Sequence, residues 1–249
     1  MSWTVIIVFL VALASTPARA DMQNLKQFLH DVEEATHTTT PLRGDGQFEV
    51  VSTDATRHDQ VAVILRPPAD TYIELKQEGK RVLLLNTAGK AYQFTKGATA
   101  PAAFPATATF AGSDFTREDL EPFRLARFQD ARISDETVSQ LTVTLFPRDS
   151  QYSLVVATFD REKKVPVKML YYRDTLNNLV KMRRDTHHVL VGRKWMATTS
   201  TMETFKLRTH TTFTLHWTQK ATFPPELFDP VFLPRPSMIR WPTATAPRS

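Results

Sequence analysis

The residues of this 249-residue chain that could do chemistry are seven histidines, the acidic pairs Glu33-Glu34 and Glu118-Asp119, and its serines. Cysteine is absent, so no thiolate nucleophile or ligand exists. His187 and His188 are neighbours, which on a strand point to opposite faces and cannot share a metal. His210 and His216 would share a face, but six residues of strand separate them by about 20 Å. His30 and His37 fall near the end of the first helix and its linker. No H-E-x-x-H and no G-x-S-x-G elbow occurs. We therefore expect no metal, no cofactor and no catalytic residue, and read the chain as not an enzyme. A hydrolase acting on lipid or glycan has the least support, because no nucleophile–base pair is visible.

The second acidic pair sits in GSDFTREDLEPF, residues 112–123. Thr116 can cap a helix, with Asp119 three residues later completing a capping box. Phe115 and Leu120 can form the accompanying hydrophobic staple. Glu118 and Asp119 suit the positive end of a helix dipole, and Pro122 stops the helix at once. The spacing predicts one short helical turn with Phe115 and Leu120 held against apolar surface. The charges at Asp160–Lys164 and Arg183–Asp185 read as solvated.

The elements that must position these residues are mostly strands. Residues 1–20 carry an apolar run from Val5 to Ala14 and an A-x-A pattern at Ala18-Arg19-Ala20, as a cleaved signal peptide does. No cysteine follows for a lipid anchor. Met22, Leu25, Phe28, Leu29, Val32 and Ala35 then recur at helical spacing. Beyond them the period becomes two. Short breakers such as Pro67-Pro68-Ala69-Asp70 separate successive runs, which implies antiparallel neighbours. Phe205–Trp217 alternates apolar and polar over thirteen residues, about 43 Å of strand, as in a strongly curved sheet. We expect a mainly β (α+β) fold, with about eleven strands forming an antiparallel half-barrel. Its lid would be the N-terminal helix and the central helical turn. The domain would span residues 21–233. Four prolines mark 234–249 as a disordered tail.

Net charge is +5, which suits ordinary solubility and could favour anionic membrane surfaces. No basic block with interleaved aromatics points to nucleic acid. The runs Val61–Leu65, Val82–Leu85 and Leu154–Ala157 are apolar on both faces. A curved sheet with an apolar concave side can be a filled core, the common outcome of close packing. It can also stay hollow and hold an apolar guest.

At this point the layout resembles a known family. Gly112-Ser113-Asp114-Phe115-Thr116 followed by Glu118-Asp119-Leu120 is similar to the central signature of LolA-like, outer-membrane lipoprotein-sorting proteins. Phe159-Asp160-Arg161-Glu162, Val165-Pro166-Val167-Lys168 and Leu179-Val180-Lys181 resemble that family's hairpin. Gly192-Arg193-Lys194-Trp195-Met196 and Pro224-Pro225-Glu226-Leu227-Phe228 resemble later segments of it. Asn177-Asn178, Ala197 and the Pro-rich tail depart from the pattern. The resemblance covers roughly residues 47–233.

It implies a soluble periplasmic carrier that shields lipid or lipoprotein acyl chains during transfer between envelope membranes. An inner-membrane transporter is a possible partner. The expected lipid-binding residues are Leu25, Phe28, Leu29, Ile73, Leu75, Phe115, Leu120, Phe205, Leu207, Phe213, Leu215 and Trp217. The alternative is a non-catalytic accessory protein that docks on a membrane export or assembly complex and carries no lipid. A concave face without a cavity above about 300 Å³ would favour that alternative.

Overall fold

The computed structural model describes residues 17–77, 80–87, 89–220, 222–235 and 238–239. Most of the expected signal peptide, residues 1–16, lies outside the described residues. So do residues 236, 237 and 240–249 of the expected tail. One α-helix, α1 (Pro17–Thr36), precedes the strands and runs through the expected cleavage point. The strands are β1 (Leu42–Val51), β2 (Thr56–Arg66), β3 (Asp70–Gln77), β4 (Lys80–Thr87), β5 (Lys90–Thr95) and β6 (Ala102–Ala103). They continue as β7 (Phe128–Glu136), β8 (Gln140–Pro147), β9 (Leu154–Asp160), β10 (Val165–Tyr172), β11 (Leu179–Val191), β12 (Lys194–Thr204) and β13 (Thr209–Gln219).

All thirteen join one antiparallel sheet in the order β6-β5-β4-β3-β2-β1-β13-β12-β11-β10-β9-β8-β7. The sheet is curved and does not close. Two meanders, β1–β6 and β7–β13, meet along the β1–β13 ladder, which runs from Leu42↔Gln219 to Val51↔His210. The edges β6 and β7 are therefore consecutive in the chain but lie at opposite ends of the sheet. Residues 104–127 must cross from one to the other. They do so over the concave face, where Phe110 and Phe115 are fully buried. This crossing is what the GSDFT segment serves.

Two apolar clusters form. On the concave side Leu25, Phe28, Leu29 and Val32 of α1 pack over Phe48, Val63, Ile73, Leu75, Phe159 and Phe213. Phe28 meets Phe159 edge-on at 5.9 Å, and Phe213 touches both Phe48 and Phe115 at 4.6 and 5.1 Å. On the convex side Ile64, Tyr72, Leu83 and Leu85 are covered by Leu227, Phe228, Leu233 and Ile239. That second layer explains why Val61–Leu65 and Val82–Leu85 are apolar on both faces. It also places Ile239, within the expected tail, in a buried position.

Three expectations need correction. The sheet has thirteen strands among the described residues, not eleven. The central helix is only a 3-10 turn at Glu118–Leu120. Residues 205–208 are a turn rather than the start of a long strand. Pairing of Thr204 with Thr209 leaves those four residues to reverse the chain, with Arg208 at φ 54°. The thirteen-residue strand is β11.

Candidate functional site

The concave face is not filled to its end. Beneath the last turn of α1 lies a cavity of about 280 Å³. Its walls include Ile73, Leu145, Val155, Met169, Leu215 and Trp217, and its rim is formed by Thr36–Thr38, the β2–β3 turn and residues 118–124. Beside this wall, two glycines on β1 let β13 and the Trp217 ring lie close against the strand. Gly44 and Gly46 stand opposite Trp217 and Leu215 in the ladder and put no side chain beside them. A Cβ at Gly46 would come within 1.8 Å of the Thr214 carbonyl oxygen, and one at Gly44 would touch the Trp217 ring at 3.0 Å. Trp217 is fixed by its indole N–H, which donates to the Ala197 carbonyl at 2.8 Å. The volume is just under the roughly 300 Å³ at which ligand pockets usually begin.

The expected lipid-binding residues divide into three groups. Ile73, Phe115, Leu120, Phe213, Leu215 and Trp217 line the cavity. Leu25, Phe28, Leu29 and Leu75 are buried in the adjoining core and are not part of its walls. Phe205 and Leu207 are exposed on the β12–β13 turn, because the chain reverses before they can reach the concave face.

Charge at the cavity floor was missed in the sequence. Asp119 is fully buried and its carboxylate accepts four hydrogen bonds: from the Thr116 N–H (2.8 Å), the Thr116 hydroxyl (2.7 Å), the Tyr152 hydroxyl (2.9 Å) and Lys181 Nζ (3.0 Å). Lys181 Nζ also donates to the Asp114 carbonyl at 2.6 Å. The Asp114 carboxylate in turn accepts from the hydroxyls of Thr211 (2.8 Å) and Thr209 on β13. Glu118 binds Ser150, the Gln151 N–H and Arg127. Arg183 donates to the Asp119 carbonyl at 2.8 Å and to Asp185 at 2.9 Å.

Only half of the expected capping box forms. Asp119 accepts from the Thr116 N–H, while the Thr116 hydroxyl turns to that same carboxylate. The acids therefore latch the crossing segment onto the β8–β9 connection, β11 and β13 rather than cap a helix. Burial and then the Asp119 charge hold the Tyr152 phenol well above its ordinary 10.0, so it remains a donor. Lys181, Arg183 and Asp185 lie two residues apart on one strand face, the only sequence signal that they act together.

The strand alternation is broken at His187, which has no partner in the β11–β12 register. His187 has φ 52°, and beyond it His188, not His187, reaches the cavity wall. Burial, the largest influence, lowers the His188 pKa from its ordinary 6.5, which favours the neutral ring in the folded protein. A depressed folded value means that the unfolded chain binds the proton more readily. Stability is then full above the unfolded pKa and falls as pH drops from there through the folded value. Urea midpoints measured from pH 7.5 down to 5 should fall, and His188→Gln should flatten part of that slope. An unchanged slope in the variant refutes the assignment.

Among the described residues no group of three His, Asp or Glu is placed to hold a metal ion. No described helix is long and apolar enough to cross a membrane.

Known proteins can now be set beside this geometry. A family model described as "Uncharacterized protein" matches residues 76–235, more than half of the chain. No curated protein matches in sequence. Solved structures match in fold. A domain described as outer membrane lipoprotein-sorting, from Vibrio parahaemolyticus, has a TM-score of 0.71 at 15% identity, covering 84% of this chain and 97% of that one. A DUF1329 family protein from Desulfovibrio piger gives 0.68 at 14% identity, with 84% and 97% covered. A LolA superfamily protein from Nitrosomonas europaea gives 0.66 at 13% identity, with 84% and 98% covered. The fold is LolA-like, and at these identities the likeness is one of fold.

Proposed function

We propose, on the premise that this chain belongs to the family matched over residues 76–235, that it is a periplasmic carrier of lipid or lipoprotein acyl chains. The observation that carries this reading is the hollow left between α1, the crossing segment and the concave sheet, with apolar walls above a charged floor. An acyl chain exposed to water costs about 0.8 kcal/mol per CH₂, so transfer between two membranes calls for a dry container and no catalysis. Ile73, Leu120, Leu215 and Trp217 would contact the chain. The export signature of residues 1–20 supports a periplasmic location for a carrier domain spanning 21–233. An inner-membrane transporter would be the donor of cargo.

Organic extraction of gently purified protein, followed by mass spectrometry, should recover lipid. A fluorescent acyl probe should bind and be displaced by fatty acid. Lipid-free protein that takes up no probe would sink the reading. The modest cavity size favours one second reading, an accessory protein that docks on an export or assembly complex and carries no lipid.

A further inference from the structure

Phe205 and Leu207 have no place in the cavity, yet they are large apolar side chains exposed at 41% and 64%. They are not alone. Leu176 is exposed at 64% on the turn between β10 and β11. The two turns lie side by side at one end of the sheet, because the Phe205 N–H donates to the Val180 carbonyl of β11 at 3.2 Å. Lys206 and Arg208 alternate with the apolar pair and are exposed, and Asp174 is the single acid in the two turns.

The tip is also stiff. Arg208 adopts a left-handed backbone and its N–H returns to the Phe205 carbonyl at 3.3 Å. The next residue, Thr209, hydrogen-bonds the buried Asp114 of the crossing segment, as does Thr211 at 2.8 Å. A rigid turn can hold its apolar side chains out in water without folding them back.

We propose that this double turn docks the protein on an anionic lipid surface, with Phe205, Leu207 and Leu176 entering the headgroup boundary and Lys206 and Arg208 meeting lipid phosphates. Charge complementarity favours this occupant: cations beside inserted apolar groups are the pattern of interfacial membrane binding. Shape favours it too. The side chains project from turn tips, and a bilayer interface admits protruding groups without a preformed pocket for each. A protein partner would need such pockets. The inference goes beyond acyl-chain carriage and does not require it.

Flotation with vesicles tests the inference on the purified protein. Vesicles of phosphatidylcholine containing one quarter phosphatidylglycerol should carry the protein up, and pure phosphatidylcholine much less. Lys206→Gln with Arg208→Gln should weaken partitioning about 25-fold, at about a factor of five for each lost cation. Phe205→Ser with Leu207→Ser should weaken it at least tenfold, by order of magnitude for two lost apolar anchors, with the circular dichroism spectrum unchanged. Both double variants should keep wild-type acyl-probe uptake in the absence of vesicles. Wild-type protein that stays with the soluble fraction, or a serine variant that floats as well as wild type, overturns the proposal. So does self-association or capture of a defined protein that vanishes in the serine variant while vesicle binding is absent. Flotation without any probe uptake would sink the carrier reading and leave the docking surface standing.

Discussion

Asp119→Ala is expected to cost about 3–5 kcal/mol of folding stability, the usual penalty for removing one partner of a buried ion pair. The side chain of Asp119 is 0% exposed and that of Lys181 is 9% exposed. With the carboxylate gone, the ammonium would retain only the Asp114 carbonyl as acceptor. Tyr152 and the Thr116 N–H would lose their acceptor as well. The crossing segment could then leave the concave face, taking Phe115 and Leu120 out of the cavity wall.

The companion variant separates charge from packing. Asp119→Ala combined with Lys181→Met removes both charges and should recover part of the loss. It should remain about 2–3 kcal/mol below wild type, because the three hydrogen bonds from the Thr116 N–H, the Thr116 hydroxyl and the Tyr152 hydroxyl, at about 1 kcal/mol each, are not restored. Urea unfolding of the two single variants and the double variant completes the cycle. A loss below about 1 kcal/mol for Asp119→Ala would show that the ion pair is not what holds the segment down.

That latch also shows where sequence reading stops. The strands β3–β5, β8–β10 and β12, and half of each of β2 and β11, are legible because period-two alternation and breaker residues are local properties. The central motif is legible as a turn, but Thr116 and Asp119 look alike whether they cap an α-helix or brace a 3-10 turn. The β13 boundary was misplaced because Phe205-Lys206-Leu207-Arg208 keeps the alternation of the strand that follows. The register of Thr204 with Thr209, a pairing across the sheet, decides that these four residues turn.

Burial of charge was the least legible feature. Lys181, Arg183 and Asp185 alternate like any wet strand face. They are covered only because the β6-to-β7 connection crosses over them, and that follows from strand order rather than from local sequence. The same holds for the cavity. Six of the twelve expected contact residues line it, since an apolar concave face could be anticipated from period. Which part of that face stays open depends on where α1 ends and where the crossing segment lies, and no periodicity records that.

Leu215→Trp is the substitution that separates the two functional readings. Leu215 is half-buried at the cavity wall, and its neighbour across the β1–β13 ladder is Gly46. A larger side chain there meets no cross-strand side chain from β1 and extends into the hollow. If the space is open, the indole occupies it and stability stays within about 1 kcal/mol of wild type. If the face is in truth closely packed, the added atoms cost about 1–3 kcal/mol in displaced neighbours. A carrier then shows a distinctive pair of results: an unfolding midpoint close to wild type and acyl-probe affinity lowered at least tenfold, an order-of-magnitude expectation for a pocket filled by its own side chain. A docking protein that carries no lipid has no probe affinity to lose, because no probe binds before the substitution is made. A large loss of stability with probe binding intact would place the ligand elsewhere and remove the cavity from the mechanism.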